Sequence, residues 1–547
     1  MPDFLVVLIV FAFIGALVWA HGWPQTETPP LPPTAPPPEP PSDPMSPGYG
    51  LEDKTFGDAR MADFSLPSDA PLMKDVLSGR DGVYLGSAMG KFDRDWIFHS
   101  QHGLNYTGPR HMMTVAPTRS GKGACAIIPN ILTMNRSLIV TDPKAQNAAV
   151  TAGFRKAVSK TFLLNPFNEL GLGTSRFNPL AVLSIDDPHV FAKVASLSES
   201  LIITEGKDPH WPDSARNLVA VLILHLLATR GNKATLPQIR EYLGLPQAAL
   251  IKEIEKMMRS PYPFIGELAG QFLDTTDEIK NIVSSARTQT KFLSDPVFSH
   301  PDTGVLTGDD FRLANFKKEV STLYLILPEQ HMAAYARFFR LMIVSALDQL
   351  MASPGGGKTL FILDEFKMLG HLSAIETAFG LAAGYNVQLW PFLQNLGQLR
   401  DVYGDAWHSF MSGCGFTQFF APNDDFTAEF ISKRIGDFTQ FVANTSTGTS
   451  EGWGDNTGFS HGSGGKHPNL QNGRSSNSGT SSGVSWSKVG LRLVTPPTVM
   501  ALPEDKQYIF LNGLKYPIMA FRRPYWRLPG VAECAAPDPF HQGEAAE

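Results

Sequence analysis

Thr114-Val115-Ala116-Pro117-Thr118-Arg119-Ser120-Gly121-Lys122-Gly123 is the stretch from which the rest of this chain can be read. An apolar run of strand type, Met112 to Val115, precedes it, and a second run, Ala124 to Leu132, is long enough to open a helix. Strand, small-residue loop and helix in that order describe a phosphate-binding loop. Its successive backbone N–H groups curl around an anion, and the helix start adds its positive dipole end. Ala116, Pro117, Thr118, Arg119, Ser120, Gly121, Lys122, Gly123 and Ala124 are therefore the candidate nucleotide-binding residues, with Lys122 a point charge for the β and γ phosphates. Two positions depart from the usual pattern. Ala116 replaces its first glycine, and Gly123 stands where a Ser or Thr hydroxyl normally touches magnesium, so one metal ligand must come from water or another residue.

A second stretch supplies the acids. Thr359-Leu360-Phe361-Ile362-Leu363-Asp364-Glu365-Phe366 reads as a buried strand that delivers two carboxylates to its exposed end. Asp364 is the candidate magnesium residue, and Glu365 the residue that orients and deprotonates an attacking water. The next strand, Val387 to Asn395, ends with Gln394 placed to sense the γ-phosphate through water. Between the two motifs lies a decoy, Ala352-Ser353-Pro354-Gly355-Gly356-Gly357-Lys358-Thr359. It fits the phosphate-loop pattern at its last position but follows a helix and leads into a strand. A loop of that order faces away from the sheet's carboxyl edge, so it reads as a connection.

The 547 residues exceed one ordinary core and suggest a large domain with an insert. A net charge of −6 gives no global case for nucleic-acid binding, although it leaves room for a locally basic channel. The three cysteines are scattered without metal-binding spacing and read as core filler. Phe4 to Ala20 is uncharged and, at about 1.5 Å per residue, covers roughly 26 Å, close to the minimum for a membrane helix. A cleaved signal peptide is the rival reading, and the lack of Lys or Arg ahead of the apolar run argues against it.

The expected organisation is a membrane anchor (1–23), a proline-rich linker (24–50) and a nucleotide-binding domain in two parts (51–185 and 311–530). An all-helical insert (186–310) separates those parts, because apolar residues there recur at helical spacing. Residues 444–486, rich in Gly, Ser, Asn and Thr, read as a flexible loop, and 531–547 as a disordered tail. Strand, helix and strand at this spacing predict an α/β fold with a mostly parallel sheet.

With these residues laid out, the chain resembles the TraG/TraD coupling proteins of conjugation and type IV secretion. The resemblance runs from about Phe56 to Arg523. It is carried by the loop at Ala116–Gly123, by Asp142-Pro143-Lys144, by Trp211-Pro212-Asp213-Ser214-Ala215-Arg216, by Leu363-Asp364-Glu365-Phe366 and by Gln394-Asn395-Leu396-Gly397-Gln398-Leu399. It implies a RecA-like P-loop NTPase with an all-helical insert, using ATP and Mg2+, assembled as a homo-hexamer in the bacterial inner membrane. The anchor read from Phe4 to Ala20 is a single-pass helix, and the need of the nucleotide site for cytoplasmic ATP puts the bulk of the chain in the cytoplasm. The implied cargo is a relaxase–DNA complex or effector proteins, with single-stranded or double-stranded DNA passed to the secretion channel subunits. A nucleotide-binding adaptor that recruits substrates without hydrolysis is the alternative. Members of that family commonly have two N-terminal membrane helices where this chain shows one. No arginine lies between Glu365 and Gln398 to act on a neighbouring subunit, and Arg400 and Arg434 are the nearest candidates.

Overall fold

The computed structural model describes residues 82–88, 103–204, 210–274, 276–352, 354–459, 470–514 and 516–541, all within a unit spanning Asp58–Glu547. The expected membrane segment and the proline-rich linker lie outside the described residues. Among the described residues no helix is long and apolar enough to cross a membrane.

Among the described residues thirteen strands follow in chain order: β1 (Val83–Ala88), β2 (Gly103–Tyr106), β3 (His111–Val115), β4 (Ser137–Asp142), β5 (Lys160–Leu164), β6 (Ser321–Ile326), β7 (Thr359–Leu363), β8 (Val387–Leu393), β9 (Cys414–Phe420), β10 (Asp437–Phe459), β11 (Leu470–Arg492), β12 (Lys506–Leu511) and β13 (Ile518–Phe521). Eleven of them form one sheet in the order β2-β1-β13-β12-β9-β3-β8-β7-β4-β6-β5. From β9 to β5 every neighbour is parallel, and β12, β13, β1 and β2 make an antiparallel border.

The parallel part explains its own sequence. Every residue of β4, β6, β7 and β8 is buried, as a sheet covered on both faces requires, so these strands read as continuous apolar runs. Successive side chains alternate between two cores. Ile139, Phe361 and Leu363 join one, while Leu138, Val140, Leu360 and Ile362 join the other. Between β5 and β6 the chain leaves the sheet for seven α-helices, from Val190–Leu201 to Pro296–Ser299. Their centre is the helix His210–Arg230, which is buried all round from Leu218 to Leu224 and shares the first core with the sheet.

Two expectations differ from what is observed. Residues 444–459 and 470–486 fall in two paired strands, β10 matched to β11 without a break from Asp437↔Arg492 to Phe459↔Leu470. Composition weighs apolar burial, whereas a two-stranded ladder forms by pairing backbone groups. Part of the expected tail is also ordered. Ala536 N donates to Val150 O (2.8 Å), Gln146 Nε2 donates to Asp538 Oδ2 (2.8 Å), and Tyr525 packs with Ile128, Leu132 and Val150. Those aromatic and polar anchors outweigh the low apolar content of the segment.

One buried charge ties the insert to the loop behind the Asp-Glu pair. Arg340, on the helix Glu329–Met351, is 1% exposed, and its guanidinium donates to Leu369 O, His371 O (2.8 Å), Ser200 O (3.1 Å) and Glu199 O (3.2 Å). Replacing it by an apolar side chain orphans several buried carbonyls at once. Arg340→Met is expected to lose about 3 kcal/mol or more, read as a lower urea midpoint; an unchanged midpoint would show the carbonyls to be satisfied otherwise.

Candidate active site

The loop after β3 leaves the sheet between β8 and β9, with Ala116 N donating to Leu393 O (2.7 Å). It then turns through Arg119 (φ 62°) and Gly121 (φ 77°), both in the left-handed region. Side chains rarely adopt that conformation, and a Cβ at Gly121 would already touch Cys125 Sγ at 3.4 Å. The helix behind starts as a π turn over Gly123–Ile127 before becoming α over Ile128–Thr133; such turns are rare and frequent at functional sites. Ser120 Oγ is buried with no hydrogen-bond partner. A Cβ at Gly123 would meet nothing within 4 Å, so crowding does not forbid a hydroxyl there and a water has room in its place.

Sequence reasoning missed one residue of this loop's support. Arg522, just past β13, donates from Nη1 to Ser120 O, and its guanidinium lies 4.5 Å from the centre of the Phe420 ring. The two positions are 402 residues apart, so no local signal could have joined them.

The acids arrive one strand over. β8 lies between β3 and β7, so the loop and the Asp-Glu pair face each other across Gln394. Lys122 Nζ sits 2.7 Å from Asp364 Oδ1 and also bonds Glu365 Oε1. Glu365 holds a left-handed φ of 52°, with its N–H on Asp364 Oδ1 (3.0 Å). Gln394 Nε2 donates to Glu365 Oε2 (3.3 Å), and Gln394 N donates to Gln398 Oε1 (3.0 Å). Four expected residues from three strand ends therefore meet within hydrogen-bond reach. Others do not join them: Lys144 pairs at the surface with Glu329 (3.4 Å), while Arg434 bonds Thr417 and covers Phe510 and Arg400 covers Phe426.

No group of three or more His, Cys, Asp or Glu side chains suited to a metal occurs among the described residues. A single carboxylate beside a phosphate loop still fits magnesium, which keeps several waters and leans on substrate phosphates. The second glycine–lysine pattern, Gly355 to Lys358, runs from the helix end at Met351 to the start of β7, at the opposite edge of the sheet.

Burial shapes the charges here. Burial works against the Lys122 ammonium, but the carboxylates of Asp364 and Glu365 outweigh it and hold its pKa above the usual lysine value. Burial likewise pushes Asp364 up, more than Lys122 pulls it down. Asp142, at the end of β4, is pushed up to about 7, mainly by burial, although it accepts the Ala148 N–H (2.8 Å). Between the unfolded value near ~4 and that folded value, the native chain keeps a proton the unfolded chain has released. Stability from Asp142 therefore falls as pH rises through this window, at about 1.4 kcal/mol per pH unit at most. Urea unfolding of wild type and Asp142→Asn at several pH values checks this: the difference between them should vanish below the window and grow across it in favour of the variant. Parallel pH profiles would contradict it.

The family described as Type IV secretory system Conjugative DNA transfer matches residues 55–545. The conjugal transfer protein TraG of Escherichia coli is 28% identical over 425 residues, 71% of this chain and 65% of that protein. The protein VirD4 of Agrobacterium fabrum (strain C58 / ATCC 33970) is 30% identical over 359 residues, 61% of this chain and 51% of its own length. The chain thus spans less than two thirds of the length of the curated relatives it matches. Among solved structures, the plasmid coupling protein TrwB in complex with ADP and Mg2+ superimposes with a TM-score of 0.54 at 14% identity, covering 82% of this chain and 96% of that one. TrwB in complex with the non-hydrolysable GTP analogue GDPNP gives 0.55 at 13% identity, with the same coverage. The fold is an α/β P-loop NTPase fold, and the chain belongs to the family of type IV secretory system conjugative DNA transfer proteins.

Proposed function

We propose that this chain is the ATP-hydrolysing motor of a type IV coupling machine. It recruits a relaxase–DNA complex or effector proteins and drives them into the secretion channel from a membrane-anchored homo-hexamer. The observation that carries this reading is the convergence of Lys122, Asp364, Glu365 and Gln394 on one side of the loop Ala116–Ala124. The loop amides and Lys122 bind and orient the nucleotide phosphates, and Arg522 keeps the loop in shape from behind. Asp364 would hold the magnesium, and the open space at Gly123 leaves room for a water in place of the missing hydroxyl. Magnesium, when bound, would neutralise charge on the phosphate oxygens and so favour departure of the diphosphate leaving group. Glu365 takes the proton of the attacking water, and Gln394, already bonded to Glu365, aligns that water and responds to the γ-phosphate.

The names of the solved relatives support nucleotide and magnesium as ligands, and the family description supports DNA as cargo. A nucleotide-binding adaptor is the second reading, favoured by Gly123 and by the engagement of Arg400 and Arg434 within their own chain.

Steady-state hydrolysis by Glu365→Gln distinguishes the two. The motor requires a loss of order 10²- to 10⁴-fold with ATP binding retained, roughly three to five kcal/mol of transition-state stabilisation; turnover equal to wild type would remove Glu365 from this role. The free space at Gly123 gives a gain-of-function counterpart. Gly123→Ser should fold normally and saturate at lower magnesium concentration, read by titrating Mg2+ against turnover. An unchanged or higher magnesium requirement would place the metal away from this position.

A further inference from the structure

At the edge of the sheet opposite Lys122, the amino ends of β4, β6 and β7 border a cavity of about 430 Å³. Arg136, Lys317, Lys318 and Lys358 line it, and Glu319 is its one lining carboxylate. That carboxylate is engaged by Lys160 at 2.8 Å. Lys318 and Lys358 are exposed, and neither forms an ion pair among the described residues. In a chain of net charge −6 this is a local concentration of positive charge, and a cleft lined by one sign focuses its field on an anion.

The cavity is built rather than incidental. Gly357 N donates to Lys317 O (2.7 Å), and Lys317 Nζ donates to Gly355 O (3.0 Å) and Tyr385 O (2.7 Å). Ser137 N donates to Lys358 O (3.2 Å), while its hydroxyl donates to Phe316 O (2.7 Å). Gly356 has φ +76°, and a Cβ there would lie 2.9 Å from Lys317 Cβ and 3.0 Å from its carbonyl oxygen. Only glycine lets the loop come this close. The glycine run that imitates a phosphate loop in sequence therefore seats Lys358 beside Lys317 and Lys318.

We propose that this cavity grips the phosphodiester backbone of a nucleic-acid strand. Its cations come from three separate loops, which suits an extended polyanion better than one compact group. Lysines on flexible stems are point charges that track phosphates without reading sequence. Asn135 adds a neutral donor to the lining. The lining has no exposed aromatic or aliphatic side chain on which a peptide could anchor, since Phe316 is buried and Val320 half-buried. Nucleotide phosphates at the carboxyl edge and strand phosphates at the amino edge can be held at the same time. The assignment rests on nucleic acid being the cargo, as the motor reading has it.

The test is binding of a labelled oligo-thymidine strand to the full chain across a salt series, for wild type and for Lys318→Glu/Lys358→Glu. The cavity predicts at least a tenfold loss of affinity in the variant. It also predicts a salt slope smaller by about 1.4, or roughly 0.7 for each phosphate contact removed. Retained binding of an ATP analogue through the loop at Lys122 confirms that the variant is folded. Unchanged affinity and slope would overturn the cavity while leaving the motor reading intact. Wild-type protein that binds no strand at all would overturn the cavity and the nucleic-acid cargo together. Tighter binding of poly-glutamate than of the strand, lost in the same variant, would give the cavity to an acidic protein segment. Loss of ATP turnover with strand binding unchanged would instead set it against the nucleotide of a neighbouring copy.

Discussion

A lysine ammonium held between two carboxylates is the contact on which the site depends. Lys122 reaches Asp364 and Glu365 from the other side of β8, and it is the cation that offsets two acids brought together in a mostly buried place. Burial pushes the Asp364 carboxyl up, and Lys122 is the charge that pulls it back down. The same ammonium is the group that phosphates need. In the proposed motor, binding of a nucleotide would draw Lys122 away from Glu365 and leave that carboxylate to its bond with Gln394.

The sheet makes that set possible. Parallel strands end at one edge, so β3, β7 and β8 deliver their loops to a common place although the chain between them is long. The helical insert can leave after β5 and return at β6 without disturbing that edge, because both strands lie beyond β4 and on the far side from β3. Arg340 then couples the insert to the segment following Glu365 through carbonyls at both ends.

Much of this was legible because the signals were local. The phosphate loop, the acidic strand end and the glutamine strand each announce themselves within a dozen residues, and the decoy at Gly355–Lys358 was separable by the order of its flanking elements. Long-range contacts were not legible. Arg522 supports the loop from the last strand of the sheet, and nothing near Arg522 or Ser120 in sequence marks the pair. The pairing of β10 with β11 was hidden because Gly, Ser and Asn are poor strand formers, while a ladder of backbone hydrogen bonds does not depend on side-chain type. Asp538 and Tyr525 anchor the tail through contacts whose partners, Gln146 and Val150, lie hundreds of positions upstream.

The most direct measurement is ATP hydrolysis by the full chain reconstituted in lipid vesicles, with and without single-stranded DNA and with and without magnesium. A motor built on Lys122, Asp364, Glu365 and Gln394 gives magnesium-dependent turnover that rises when the strand is added. Tight nucleotide binding with no turnover under any of these conditions would contradict it and make the chain an adaptor.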